Sequence, residues 1–262
     1  MGHIRLPNLR RTLAWREVVT AIESGASAEI VAARSAIAAR AAFEEARHDP
    51  GFLLAVRLLA ELPLAARTPA YLTELRRLGL NVAREPTLFE FSATLSALPD
   101  EQGRRTALTS SERSDLGALA IRALVGSFNA LIGPELPSLF EADEIDFQSA
   151  LGRYARGQAF GRLAREFFAR FVQGTLDYYL SRELGNHLGP DQRFANSAHR
   201  AAFDTAIRLH CFEASRIVEE YAGGWLGKHV YQEGELTARH IAELGAFSLK
   251  KIMAELKRRE DG

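Results

Sequence analysis

Pairs of a histidine and a carboxylate three or four residues apart are the first candidate chemistry, because this spacing puts both side chains on one face of a helix. Six such pairs occur: Glu44–His48, Glu45–His48, Glu183–His187, His210–Glu213, His229–Glu233 and His240–Glu243. The pairs His210–Glu213 and His240–Glu243 could together bind a metal ion if their helices pack side by side. The default interpretation of His210 is a hydrogen-bonded core histidine, so no metal ion and no cofactor is predicted.

Nucleophilic and phosphate-binding motifs are incomplete in this chain. The run from Ser248 to Lys251 fits an SxxK tetrad but lacks the companion motifs of that class. Cys211 directly follows His210, and neighbouring residues of a helix point about 100° apart, so they cannot form a nucleophile and its base. The segment 223–228 is the nearest match to a P-loop, but His229 stands where a magnesium-binding hydroxyl belongs. These gaps leave catalysis open and favour a protein that is not an enzyme.

The segment from Arg182 to His187 resembles the arginine-x4–6-histidine motif of HEPN ribonucleases, which are helical proteins. The resemblance covers six residues and implies metal-independent RNA cleavage at a homodimer interface. His187 would take the 2′-hydroxyl proton and Arg182 would stabilise the phosphorane. Both side chains reach one phosphate only if the helix ends between them, and we expect that end at Gly185-Asn186. The alternative is an arginine that bonds helix-end carbonyls beside an exposed histidine.

The charge balance excludes a globally basic nucleic-acid-binding protein, because 33 basic residues are matched by 33 acidic ones. A local concentration of arginine remains in the segment 149–182. Its candidate phosphate-contacting residues are Arg153, Arg156, Arg162, Arg165 and Arg170. They define a second alternative, a helical nucleic-acid-binding protein, against a solvated helix face.

The composition is that of a folded globular chain, with 47% hydrophobic and 25% charged residues. A single cysteine excludes an intramolecular disulfide framework and, with no leader segment in the sequence, favours a reducing cytoplasm. Charges interrupt every long apolar run, so we expect no membrane span. The excess of arginine and alanine is typical of GC-rich bacterial genomes.

Apolar residues recur at helical spacing through nearly the whole chain, which predicts an all-α protein, an irregular bundle of about nine helices. Prolines punctuate the first hundred residues and predict shorter helices there. These predicted spans are 11–24, 28–47, 51–62, 69–78 and 86–98. A long central helix is predicted over 146–184, with a buried aromatic stripe of Phe160, Phe167, Phe171 and Tyr178.

The polar stretch 100–114 has no apolar stripe and is the expected linker or exposed loop. It would separate an N-terminal helical subdomain, 1–99, from a C-terminal one, 115–262, built around the long helix. One undivided domain is the alternative. The abundance of apolar stripes without a complete catalytic motif favours a non-enzymatic interaction protein, an adaptor or complex subunit. Its expected partner is another protein or a second copy of itself.

Overall fold

The computed structural model describes residues 5–105, 114–137 and 144–258, and within them it contains twelve α-helices and no β-strand. The first six helices are α1 (Leu13–Glu23), α2 (Ala28–Ala38), α3 (Arg40–Ala46), α4 (Pro50–Ala65), α5 (Tyr71–Arg77) and α6 (Leu88–Arg105). The next six are α7 (Asp115–Ile132), α8 (Glu144–Arg153), α9 (Gly157–Asn186), α10 (Ser197–Ala214), α11 (Arg216–Leu226) and α12 (Ala238–Arg258). The predicted all-α class is confirmed.

The helix count is higher than the predicted nine partly because two expected helices are divided. The helix expected over 28–47 is interrupted at Ala39, whose backbone leaves the helical conformation with ψ near 6°. The helix expected over 146–184 stops at Arg153 and restarts at Gly157, which has a positive φ of 40°. A positive φ is open to glycine at little steric cost, so this residue redirects the chain between α8 and α9.

Two prolines and two glycines that were expected to end helices lie inside them. Pro63 is buried in the last turn of α4, and α6 continues through Pro99 to Arg105. The helix α11 likewise passes through Gly223 and Gly224 to Leu226. The expected loop 100–114 is therefore helical over 100–105, and its residues 106–113 lie outside the described part of the chain.

The helix α9 runs through the middle of the core and packs against α2, α4, α7, α10 and α11. Phe160, Phe167 and Phe171 are fully buried, as predicted, and Phe52 of α4 contacts Phe171 with 4.7 Å between ring centroids. The prediction for Tyr178 is wrong, because its side chain is 42% exposed. Burial of the three phenylalanines joins residues from both sides of the expected linker in one hydrophobic core.

Two arginines donate hydrogen bonds to backbone carbonyls at the ends of α1 and α10. The Arg193 guanidinium donates to the carbonyls of Ile22 (2.7 Å) and Ala26, and so caps the end of α1 from a loop late in the chain. It also lies 4.6 Å from the ring centroid of Phe203. Arg165 of α9 donates to the Phe212 carbonyl at the end of α10 (3.2 Å). Cations at helix C-termini are stabilised by the helix dipole.

One segment of the described chain is long and apolar enough to cross a membrane. It is Asp115–Glu135, which comprises α7 and the turn that follows it. Half of its tested window is buried. The helix packs between α4, α6 and α9. A core helix has the same length and composition, and α7 packs as one.

The axes of α9 and α11 approach closely because glycines line their contact. A Cβ atom added at Gly161 would collide with the backbone carbonyl oxygen of Glu219, whereas one added at Gly224 would meet no atom within 4 Å. We expect Gly161→Ala to destabilise the protein by about 1–3 kcal/mol, since neither backbone can yield without repacking.

The matched substitution Gly224→Ala should stabilise it by about 0.5–1 kcal/mol, because alanine is the better helix former at an open helical position. Urea unfolding of the two variants beside the wild type measures both changes. Equal effects of the two alanines would contradict the close helix contact.

Candidate metal centre

The structure does not bring the two predicted metal pairs together. Glu213 binds Arg165 (3.3 Å) and Glu243 binds Arg239 (2.7 Å). His210 is buried within α10. His240 instead packs against His229, with 4.1 Å between the ring centroids and 29° between the planes.

His229, Glu233 and His240 form a cluster whose ligand atoms all lie within 4.8 Å of one another, the one such set of three among the described residues. One carboxylate oxygen, Glu233 Oε2, lies 2.7 Å from His229 Nδ1 and 3.5 Å from His240 Nε2. Two imidazoles therefore converge on a single oxygen. Imidazole nitrogen and carboxylate oxygen are common ligands of zinc and related ions.

A π-helical turn, Gly227–Gln232, presents the first two residues of the cluster. It continues directly from α11, and the Glu233 amide donates to the Lys228 carbonyl five residues earlier (3.2 Å). Turns of this kind are rare and are found frequently at functional sites. Gly234 then reverses the chain with a φ of 88°, a conformation that favours glycine.

The first turn of α12 presents the third residue. Thr237 caps this helix, and its Oγ1 accepts from the His240 amide (3.2 Å). In return His240 Nδ1 lies 3.4 Å from the Thr237 amide. This is the reciprocal pattern of a capping box, with histidine in the place usually held by glutamate or glutamine. The cap fixes His240 where the chain returns from Gly234.

The cluster lies at the edge of the core, with one side buried and one side open. His229 is buried beside Trp225, with 5.2 Å between the ring centroids, and Trp225 stacks on Phe160 of α9. The Glu233 side chain is 39% exposed, and its second oxygen lies 3.6 Å from Lys228 Nζ. A bound ion would thus be held by the protein on one side and reached by water on the other.

The charges of the cluster keep its carboxylate ionised. The hydrogen bond from His229 lowers the pKa of Glu233 below its ordinary value, and the charges of His229, Lys228 and His240 act in the same direction. The pKa of the nearby Glu243 carboxyl is also lowered, first by the hydrogen bond from Arg239 and then by the charge of that residue. An ionised carboxylate and two imidazoles can bind a cation once the ring nitrogens that face the carboxylate carry no proton.

The two residues of the ribonuclease-like segment have different surroundings at the end of α9. The helix α9 ends at Asn186, within the expected segment 185–186, and His187 caps it. Gly185 is exposed, and a Cβ atom added there would lie 3.8 Å from the Arg200 guanidinium, an ordinary contact. Arg182 is exposed, while His187 Nε2 contacts Glu183 Oε1 at 3.3 Å.

The candidate nucleic-acid arginines do not form one cationic face. Arg153 binds Glu135 (2.8 Å), and Arg170 binds Glu166 (2.7 Å). Arg165 is mostly buried and binds Glu219 (3.0 Å) as well as Glu213. Arg156 and Arg162 are exposed. Three of the five guanidinium groups are therefore engaged within the protein.

Neither candidate nucleophile is placed for chemistry. Cys211 is completely buried, and burial raises the pKa of its thiol to about 12. Ser248 is buried in the face of α12 that packs on the core. Both are packing residues, as predicted, since a reactive thiol needs an exposed and electropositive site.

Asp177 is a polar residue that the sequence patterns did not single out. It lines a cavity of about 400 Å³ between α7 and α9, together with Arg122, Arg170 and Gln173. Burial raises the pKa of this carboxyl to about 6, and the nearby Asp204 charge raises it further, while the hydrogen bond from Gln173 opposes the change. Perturbed carboxyls in clefts are found often at functional sites and also in structural networks.

No known protein family, no characterised protein and no solved structure matches this chain.

The half-buried Asp177 carboxyl should make stability depend on pH. Its folded-state pKa lies above the unfolded value, so the folded protein holds the proton more tightly and loses stability as pH rises from about 4 to 6. Asp177→Asn removes this loss, and its advantage over the wild type should grow by about 2 kcal/mol between pH 4 and pH 8. Urea unfolding at the two pH values measures the change.

The exposed Asp191 offers a matched control, because asparagine tolerates its positive φ of 61°. Asp191→Asn should follow the wild-type profile. A constant difference between Asp177→Asn and the wild type at both pH values would contradict the raised pKa.

Proposed function

We propose that the protein binds a divalent transition-metal ion of the zinc class through His229, Glu233 and His240. The observation that carries the proposal is the convergence of two imidazole nitrogens on one ionised carboxylate oxygen, at 2.7 and 3.5 Å. Two nitrogen ligands argue against magnesium and calcium, which prefer sites made of oxygen.

The distances suit an ion in place of the proton in the hydrogen bond between His229 and Glu233. Ligand atoms of a tetrahedral zinc ion lie about 3.4 Å apart, given metal–ligand distances near 2.0–2.1 Å. The contact between His240 and Glu233 already has this length, while the shorter contact with His229 is that of a hydrogen bond and must lengthen. When Nε2 of His240 binds the ion, the ring proton lies on Nδ1, which can then no longer accept from the Thr237 amide. The contact given up is 3.4 Å, which is long for a hydrogen bond.

The ion would connect the π-helical turn to the start of α12 and hold the corner between α11 and α12. Three protein ligands leave a fourth tetrahedral position for water or another ligand. That position faces the exposed side of Glu233. Bound metal would therefore stabilise the corner while remaining open to exchange.

Zinc affinity tests this function directly. Isothermal titration calorimetry of the wild type should show one site, and Glu233→Gln and His240→Asn should each weaken it by more than about a hundredfold, since even outer-shell partners contribute 10–100-fold. His187→Ala is the matched control, because His187 and Glu183 form a similar pair without a third ligand close by. Unchanged affinity in Glu233→Gln would overturn the proposal.

Stability and pH give two further measures of the same site. Zinc at a hundred times Kd should stabilise the fold by about 2.7 kcal/mol and raise Tm by roughly 5–10 °C. Binding should weaken as pH falls, because a protonated imidazole cannot coordinate a metal. In a Trp15→Phe background, Trp225 is the remaining tryptophan, and quenching by Cu²⁺ should report occupancy beside His229.

We also propose that the chain acts as a helical interaction protein of the bacterial cytoplasm, an adaptor or complex subunit. Phe89 of α6 and Ile145 of α8 are 77% and 67% exposed. Their chain neighbours Glu90 and Glu144 both bind Arg84, which draws the starts of the two helices together. Exposed apolar patches of this kind are typical of protein contacts.

A contact at this apolar pair predicts that Phe89→Ser weakens binding to the partner, which could be another protein or a second copy of the chain. Sedimentation velocity tests self-association, and cross-linking in the native host captures other partners. Leu13→Ser is the control, because Leu13 is 72% exposed on a different helix. Equal loss of binding in both variants would indicate general surface hydrophobicity and contradict a specific contact.

A further inference from the structure

A cleft of about 240 Å³ lies between the segment 5–10 and the last turns of α9, far along the chain from the metal cluster. Its walls include three exposed arginines, Arg5, Arg10 and Arg182. An adjoining groove of about 470 Å³ shares Arg10 and adds Arg16. The N-terminal segment thus meets α9 at a concentration of positive charge.

The carboxylates around this cleft are already engaged within the protein. Asp115 accepts a hydrogen bond from the Leu6 amide (2.9 Å), and its contact with the Tyr178 hydroxyl helps to raise the pKa of that phenol. Glu183, which lines the cleft, contacts His187. Three arginines and one glutamate line the cleft, so its lining carries a net positive charge and suits an anion.

Aromatic side chains form the rest of the wall. Trp15 and Tyr179 lie with ring centroids 6.1 Å apart, and Tyr178 packs edge-on against Tyr179 at 5.2 Å. The Tyr178 ring is partly exposed and offers a face for stacking. The Tyr179 hydroxyl is buried with no hydrogen-bond partner among the described residues, and such a group calls for an explanation.

We propose that this cleft binds a nucleoside phosphate. The arginines would hold the phosphate through charge-assisted hydrogen bonds, and the exposed Tyr178 ring would stack on the base. The cleft is smaller than the roughly 300–1,000 Å³ of ordinary ligand pockets, which favours a single nucleotide held partly in the open over a dinucleotide. This site is independent of the proposed metal function, since it shares no residue with the His229–Glu233–His240 cluster.

The position of Arg182 supports this ligand. It follows Tyr178 by one helical turn, so a cation continues an aromatic stripe at the surface end of α9. The segment 5–10 lies across this end of the helix, and Leu6 and Leu9 are buried beneath it. Arg182 thus belongs to a site shared with the start of the chain.

Trp15 is a natural reporter, because the chain has two tryptophans and the other lies beside the metal cluster. In a Trp225→Phe background with EDTA present, AMP should change Trp15 fluorescence in a saturable way. Adenosine alone and inorganic phosphate alone should each bind at least tenfold more weakly, because each lacks one half of the recognition. EDTA keeps this result separate from the metal proposal.

Arg182→Ala and Arg10→Ala should each weaken AMP binding at least tenfold without a change in Tm, since both side chains are exposed. Arg156→Ala, an exposed arginine at the opposite end of α9, should leave it unchanged. Tyr178→Ser should weaken AMP but leave phosphate binding intact, which isolates the stacking contribution.

Three outcomes would overturn the proposal. The first is that about 1 mM AMP gives neither a saturable fluorescence signal nor a Tm shift. The second is that AMP and phosphate bind equally. The third is that Arg182→Ala and Arg156→Ala change AMP binding equally. The second outcome would indicate a plain anion site, and the third a response to total charge.

Discussion

The close packing of α9 against α11 is the constraint on which the rest of the molecule depends. Gly161 lets the two backbones approach, and Arg165 then joins α9 to the end of α10 and to Glu219 of α11. Thirty residues of α9 span about 45 Å, so this one helix reaches from the metal cluster to the arginine-rich cleft. Its buried phenylalanines hold both ends in fixed positions.

Each candidate site is built where an end of α9 meets a chain segment from elsewhere. At the first end, Phe160 supports Trp225, and Trp225 packs against His229. At the other end, Tyr178 and Arg182 meet the segment 5–10. The two ends of this long helix meet segments from elsewhere in the chain, whereas its middle packs against neighbouring helices.

The periodicity of apolar residues predicted the fold class and the buried phenylalanines, because apolar spacing directly reflects which face of a helix is buried. The division at Ala39 was missed because its break has no proline or glycine. Pro63 was expected to end a helix but lies inside α4, because a proline in the last turn removes only one backbone hydrogen bond. The exposure of Tyr178 was not predicted, because an aromatic stripe does not show where the helices that cover it end.

The metal cluster shows why a pair motif identifies ligands but not their partners. His229–Glu233 was one of six similar pairs, and His240 was assigned to Glu243 by spacing alone. The glycine at 234 and the capping threonine at 237 were the signals of a tight corner that brings His240 back to Glu233.

Arg182 illustrates the same limit over a longer distance along the chain. Its position in an aromatic stripe marked it as unusual, but sequence proximity paired it with His187, whereas the fold pairs it with a segment more than 170 residues earlier. Loop-closure entropy rises only slowly with length, so a chain of this size can form such contacts readily. Local spacing therefore predicts short-range geometry, as in the capping box at Thr237, and is silent on contacts made by the tertiary fold.

The local origin of the metal cluster also limits how strongly an ion can act on stability. All three ligands lie within the segment 229–240, so an unfolded chain retains part of the chelate and some affinity for metal. The arginine-rich cleft is different, because it joins residues 5–10 to residue 182 and exists only in the folded chain. At equal affinity, a ligand in the cleft therefore stabilises the fold more than a metal ion at the corner. This difference follows from contact order alone and makes the two sites distinguishable by thermodynamics as well as by chemistry.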